Sequence, residues 1–250
     1  MITDISTIMW KELKEWLFQR SNSARGSFRG GWVGQLVFIG IFGIFLPFQI
    51  GPDWVNNPMA LAYWSWVPLF MVSGVTADAF AGERERHTLE TLLASRLSDR
   101  AILFGKIAAA VAYGWGLTIA SLILGVLTVN VAFWPGHVLM YPPWLAGSGL
   151  ALSLLAAGLS ATAGVLISLR ASSVRQAVQT MGIAIMVVLF VPIFGLRALP
   201  VETQARLMQA LSGANLSQII WGAAAVLLAA DAVLLLAAMA RFRRARLILD

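Results

Sequence analysis

The stretch DAFAGERERHTLETLLASRLSDRAILFGK, Asp78–Lys106, decides how the chain folds. It is dense in charge and stands between two long apolar runs, so it cannot share the hydrocarbon with them. Within it, Leu89, Leu92, Leu93 and Leu97 have the i, i+3, i+4 spacing of one helical face. An apolar stripe on a charged helix outside a membrane needs a partner to cover it. Thr88 is placed to cap a short helix from Leu89 to about Ser95. Ser98, followed by Asp99, is placed to cap the next, which continues without proline to about Phe133.

On either side of this segment the chain is apolar. It is 59% hydrophobic and 12% charged, with mean hydropathy +0.78, whereas a soluble domain is about 25% charged. A hydrocarbon layer about 30 Å thick needs roughly 20 apolar helical residues, and six stretches qualify: 31–50, 59–77, 102–133, 144–169, 178–196 and 219–240. Strand-like alternation is absent, so helices satisfy the backbone in lipid. The expected fold is an all-α polytopic membrane protein, one transmembrane domain over residues 1–250. Its cytoplasmic segment is 78–101, and its outer loop, 197–218, carries a short amphipathic helix over 200–211.

Residues 1–30 read as an amphipathic helix, capped by Thr3 or Asp4 and running to about Phe18, followed by a Ser/Gly/Arg connector. Ile5, Ile8, Met9, Leu13, Trp16 and Leu17 form its apolar face, with Lys11, Glu12, Lys14 and Glu15 placed opposite. Such a helix is expected to lie in the membrane interface. About thirty residues before the first apolar run make too long an n-region for a cleavable signal, so the first span is expected to stay as an anchor.

The formal charge of +6 is a topology signal rather than a nucleic-acid footprint. Sixteen of the 18 basic residues fall in segments on one side of the expected membrane, and only Arg197 and Arg206 fall on the other. By the positive-inside rule both termini and Asp78–Lys106 are cytoplasmic, in a cell membrane crossed several times. Trp54, Tyr63, Trp64, Trp66, Trp134, Tyr141 and Trp144 gather near the outer ends of the spans, where amphipathic rings favour the interface.

Catalytic constellations are missing from the sequence. There is no cysteine, no H-E-x-x-H, and the two histidines, His87 and His137, belong to opposite sides of the membrane. Gly147-Ser148-Gly149 has no histidine in any span to serve as base. Gly105-Lys106 lacks the earlier glycine of a phosphate loop, so no Walker A is present. The expectation is a non-enzyme that binds no cofactor itself and takes energy from a partner or an ion gradient. Gly147, Ser148, Gly149, Ala157, Gly158, Ala161 and Gly164 give the fourth span the small residues of close helix packing. Asp231 lies ten residues before Arg241, roughly 15 Å deep at about 1.5 Å per residue. A central Asp costs about 2.5–3.5 kcal/mol, and the ten Leu, Ile and Val of residues 216–236 return roughly 3–6, so the helix still inserts. Asp231 is therefore a candidate pathway residue, or a carboxyl hydrogen-bonded within the bundle.

The pattern Asp78-x-Phe-Ala-Gly-Glu-Arg-Glu-Arg-x-Thr-Leu-Glu-x-Leu-Leu, followed by Gly105-Lys106, resembles the signature of type-2 ABC exporter permeases. Six spans, cytoplasmic termini, an amphipathic N-terminal helix and a helical insert before the last span fit the same family. The resemblance implies an exporter subunit that pairs with a second permease copy, identical or different, and with two copies of an ATP-binding subunit carrying ATP and Mg. It implies that the segment after span two is a coupling helix docked in a groove of the ATPase. Leu89, Leu92 and Leu93 would be docking knobs, with Thr88 beside them, and Glu83, Arg84, Glu85, Arg86 and Glu90 would align the helices by ionic contacts. Lys11, Lys14, Asp78 and Lys106 would be interface or gating charges. Members often carry Gly where His87 stands, Pro near Arg96, and Pro in the segment Ala214-Asn215-Leu216. Two other readings stay open from the residues alone: an ion-coupled carrier centred on Asp231, and a membrane scaffold that does not transport. The transported substrate is left open.

Overall fold

A computed structural model describes residues 2–18, 30–88, 94, 96–213 and 215–242. Among these residues the regular structure is helical. Helix α1 (Ile2–Phe18) is followed by α2 (Gly30–Gly40), a π-helical turn (Ile41–Phe45), and two short helices, α3 (Leu46–Ile50) and α4 (Asp53–Asn56). The long helices are α5 (Ala60–Glu85), α6 (Asp99–Ala132), α7 (Pro143–Arg170), α8 (Val174–Ala198) and α10 (Leu216–Arg241), with the amphipathic α9 (Val201–Gly213) before the last.

Five of these are long and apolar enough to cross a membrane: α5, α6, α7, the Val174–Val191 part of α8, and α10. The first apolar run is helical from Gly30 to Ile50, continuous through the π turn, and its described apolar part, Gly34–Ile50, is shorter than the five. The π turn has a local setting. The π turn widens the helix opposite α6, where a Cβ on Gly43 would sit 2.9 Å from Leu124 Cβ. The Gly43 carbonyl there accepts a 2.8 Å bond from Thr128 Oγ1, so a neighbouring helix satisfies the freed backbone group.

The centre of the bundle is α5, α6 and α7. Three of the small residues of α7 stand where α5 or α10 comes close. A Cβ on Gly149 would strike the Trp64 ring, one on Gly164 would strike Thr76, and one on Gly158 would meet Asp231 Oδ2 at 2.9 Å. Glycine is required at these positions by close approach, as in other lipid-embedded helix pairs. Ser160 Oγ donates to Leu69 O at 2.9 Å. Ser168 Oγ reaches further into α5, accepting from Phe80 N (3.0 Å) and Ala81 N (2.9 Å) and donating to Ala77 O (2.9 Å).

Several boundaries differ from the sequence reading. Helix α5 does not end at the start of the polar segment but runs on to Glu85, because the charges after Asp78 find partners in the bundle. Helix α8 continues through Pro192 to Ala198. Pro200 precedes α9, its carbonyl accepting from Thr203 N and Gln204 N. Trp54 and Trp64 are buried inside the end of the bundle opposite Lys106 rather than facing lipid, with Trp54 Nε1 donating to Tyr141 Oη at 2.9 Å. Trp66, Trp134 and Trp144 are exposed, as belt residues would be.

Candidate functional site

The last turns of α5 and the helix ends packed around them form a platform held by charges. Helix α1 lies against α6, and Gly105 makes the approach possible: a Cβ there would stand 2.7 Å from Ile8 Cβ. Ile8, Glu12 and Trp16, spaced four apart, all turn inward and are buried. This corrects the placement of Glu12 on the outer face of α1, since the i, i+4, i+8 spacing puts it between two buried apolar residues. Lys11 and Lys14 do face outward, and Lys11 lies 3.6 Å from Glu15 in an exposed pair of little energetic weight.

Lys106 is the hub. Its side chain is 1% exposed, and its Nζ lies 2.8 Å from Glu12 Oε1, 2.8 Å from Glu83 Oε1 and 2.9 Å from Ala79 O. The ammonium also stands 5.2 Å from the centroid of the Phe80 ring. All three of its donors are thus used. Two carboxylates against one ammonium leave a net negative pocket, and Glu83 Oε2 is buried without a hydrogen-bond partner.

The next three residues of the motif are each committed to a different helix end. Arg84 donates through Nη1 to Ala171 O and through Nη2 to Leu169 O (3.1 Å), covering the last carbonyls of α7, where a cation complements the helix dipole. Glu85 Oε1 accepts from Val174 N at 2.9 Å, the first residue of α8, where a carboxylate satisfies a free donor. Arg86 turns back to Asp78, with Nη2 at 3.0 Å from Oδ1 and 2.8 Å from Oδ2. That pair crosses Gly82, where any Cβ would collide with the Asp78 carboxylate. Partial burial works to lower the Arg86 pKa, but Asp78, with smaller help from Glu15 and Glu83, raises it above the ordinary arginine value.

The end of α5 is a Schellman turn. His87 N donates to Arg84 O (3.1 Å), Thr88 N donates to Glu83 O (2.9 Å), and His87 adopts φ 57°. Thr88 Oγ1 also donates to Glu83 O at 3.3 Å, so its described contacts close α5. The cap expected of Thr88 for a following helix, and the side chains of Leu89, Glu90, Leu92 and Leu93, lie outside the described residues. Ser98 Oγ accepts from Ala101 N at 3.2 Å and opens α6.

Of the predicted site residues, Asp78, Glu83, Arg84, Glu85, Arg86, Thr88 and Lys106 come together on this platform. Asp231 does not. It lies midway along α10 against Gly158 of α7, with Oδ1 buried and without a hydrogen-bond partner. Glu12 and Ser168 are not among the expected site residues, and Gly82 and Gly105 stand only as letters of the motif. Glu12 carries a signal in its spacing from Ile8 and Trp16; the part the others play depends on which helices meet. An apolar-lined cavity of about 590 Å³ opens between α7 and α10 near their N-terminal ends, bordered by Trp144, Leu152, Ile220 and Trp221. Among the described residues, no group of three or more His, Asp or Glu is placed to hold a metal ion.

Five apolar membrane-length helices, joined at one end by a charged platform, are the architecture of a multi-pass membrane protein. The family model of the ABC-2 type transporter matches residues 3–211, most of the chain, and the protein belongs to that family. No curated protein matches the chain. Membership makes it the membrane component of a transporter and not its ATPase.

Proposed function

We propose that this chain is the permease subunit of an ATP-driven export system, forming the substrate path and driven by a separate ATP-binding subunit. Two copies of that ATPase, holding ATP and Mg, work beneath a pair of permease subunits. Gly31–Ile50 serves as the first of six spans, and both termini face the cytoplasm. The observation that supports this reading is the inner platform. Residues 83–86 join α1, α5, α6, α7 and α8 into one unit directly before the leucine-striped segment. A push on that segment by a nucleotide-driven partner would reach all five helices at once. In this scheme Leu89, Leu92 and Leu93 dock in the ATPase, Thr88 and Glu90 flank them, and the charges of residues 83–86 stiffen the lever. Lys106, Asp78, Lys11 and Lys14 belong to the hinge between α1 and the bundle.

The test is co-purification with a candidate ABC ATP-binding subunit and reconstitution of the pair in liposomes. Leu92→Asp with Leu93→Asp is expected to leave the permease inserted while ATP hydrolysis no longer drives export. A double variant that binds the ATPase and exports normally removes the docking model. Flux without any nucleotide under an ion gradient would favour a carrier centred on Asp231, and binding without flux would favour a scaffold.

A further inference from the structure

A groove of about 400 Å³ opens at the inner ends of α7, α8 and α10, lined by Leu166, Ile167, Arg170, Gln176, Thr180 and Arg241, with small Ala171 and Ala237 in its wall. Arg170 is the last residue of α7 and Arg241 the last of α10. Both are exposed, and among the described residues neither guanidinium has an ion pair or hydrogen bond to the protein.

A basic residue at a helix C-terminus ordinarily complements the dipole and its free carbonyls. That account fails for Arg170, because Arg84 already covers Leu169 O and Ala171 O. Glu85, a carboxylate at the same end of the bundle, accepts the Val174 amide and is engaged at the start of α8. Gln176 Oε1 accepts from Ser172 N and Oγ, both at 2.9 Å, leaving its NH₂ group as a further donor toward the groove. Two unpaired guanidinium groups and an amide donor therefore share a recess whose remaining wall is aliphatic. Its position is the cytoplasmic interface, where headgroups of one leaflet lie level with helix ends.

We propose that this groove binds the phosphate-bearing headgroup of an anionic phospholipid of the inner leaflet. Arg170 and Arg241 hold the phosphate from two helices, a geometry suited to guanidinium forks. Leu166 and Ile167 cover the upper acyl chain. A lipid so bound would bridge α7 and α10, which otherwise meet along one face. The shared chemistry is a phosphate, and the aliphatic wall favours a lipid over the free ion.

Native mass spectrometry of the detergent-purified chain, titrated with phosphatidylglycerol, phosphatidylcholine and inorganic phosphate, tests the assignment. One phosphatidylglycerol is expected to stay bound in preference to phosphatidylcholine, and inorganic phosphate is expected not to displace it. At about fivefold per arginine, Arg170→Gln with Arg241→Gln should lower that preference by roughly thirtyfold. Arg170→Lys with Arg241→Lys should keep most of it. Arg175→Gln, at the same membrane side but outside the groove, should leave it unchanged. An equal loss in Arg175→Gln would reduce the effect to general surface charge and overturn the site. Wild-type protein without an anionic preference, a Gln pair that retains it, or displacement by inorganic phosphate would each overturn the proposal as well. Should the Gln pair fail to fold, the wild-type comparison and the Lys pair still decide.

Discussion

Lys106 and Glu12, 94 positions apart in sequence, meet at 2.8 Å in a site where the lysine is 1% exposed. This contact fixes the N-terminal helix to the bundle beside the close apolar approach of Ile8 to Gly105. Removing one partner of a buried ion pair strands the other and costs roughly 3–5 kcal/mol. Lys106→Met strands two carboxylates and is expected at or above the top of that range, read as a lower midpoint of unfolding in detergent. Glu12→Gln leaves Lys106 with Glu83 and Ala79 O, and should cost less. A double-mutant cycle should return a coupling above about 1 kcal/mol.

His87 occupies a position that asks for glycine. Its φ of 57° closes the Schellman turn, and a residue with a Cβ is strained there. His87→Gly is expected to stabilise the protein by up to about 1 kcal/mol. His87→Val, branched at Cβ, should destabilise it. Thermal melting of both variants beside wild type checks the sign.

Gly164 and Gly147 lie on the same helix and predict opposite outcomes. A Cβ on Gly164 would lie 2.6 Å from Thr76 Cβ, whereas one on Gly147 would meet nothing within 4 Å. Gly164→Ala must separate α5 from α7 and should cost about 1–3 kcal/mol. Gly147→Ala should be neutral or gain a few tenths to about 1 kcal/mol from helix propensity. Equal melting temperatures for the two variants would contradict the close approach of α5 and α7.

Ser168 satisfies two amides and one carbonyl of α5 at a single hydroxyl. Ser168→Ala leaves the Phe80 and Ala81 amides without that acceptor, a loss of about 1–3 kcal/mol for each buried group not re-satisfied. Faster hydrogen exchange at these two amides is the direct readout. Unchanged exchange would mean that α5 closes its own ladder.

Asp231 is placed to trade stability against function. Its buried Oδ1 has no hydrogen-bond partner, so Asp231→Leu removes a polar cost that reaches about 3 kcal/mol at a bilayer centre. The variant is expected to melt higher and, if Asp231 lines the path, to export more slowly. Asp231→Asn separates charge from shape. An export rate unchanged in both variants would leave Asp231 without a transport role.

The chain's sequence by itself determined the membrane class, the apolar runs that become the long helices, and the family motif. Hydropathy over about twenty residues is a property of single segments against water and lipid, and needs no knowledge of neighbours. Ser98 as the cap of α6 was legible for the same reason, since capping is local. What only the tertiary structure decided is where each charge goes. Glu83, Arg84, Glu85 and Arg86 look equivalent in sequence, as a solvated stripe. In space they reach Lys106, the end of α7, the start of α8 and Asp78 respectively. Glu12 reads as polar surface until α6 brings Lys106 beneath it, and α5 reads as ending at Asp78 until those partners hold it helical to Glu85. The reason is range. A buried charge is stabilised by groups within about 3 Å supplied by distant helices, so its role follows from packing that sequence spacing does not encode.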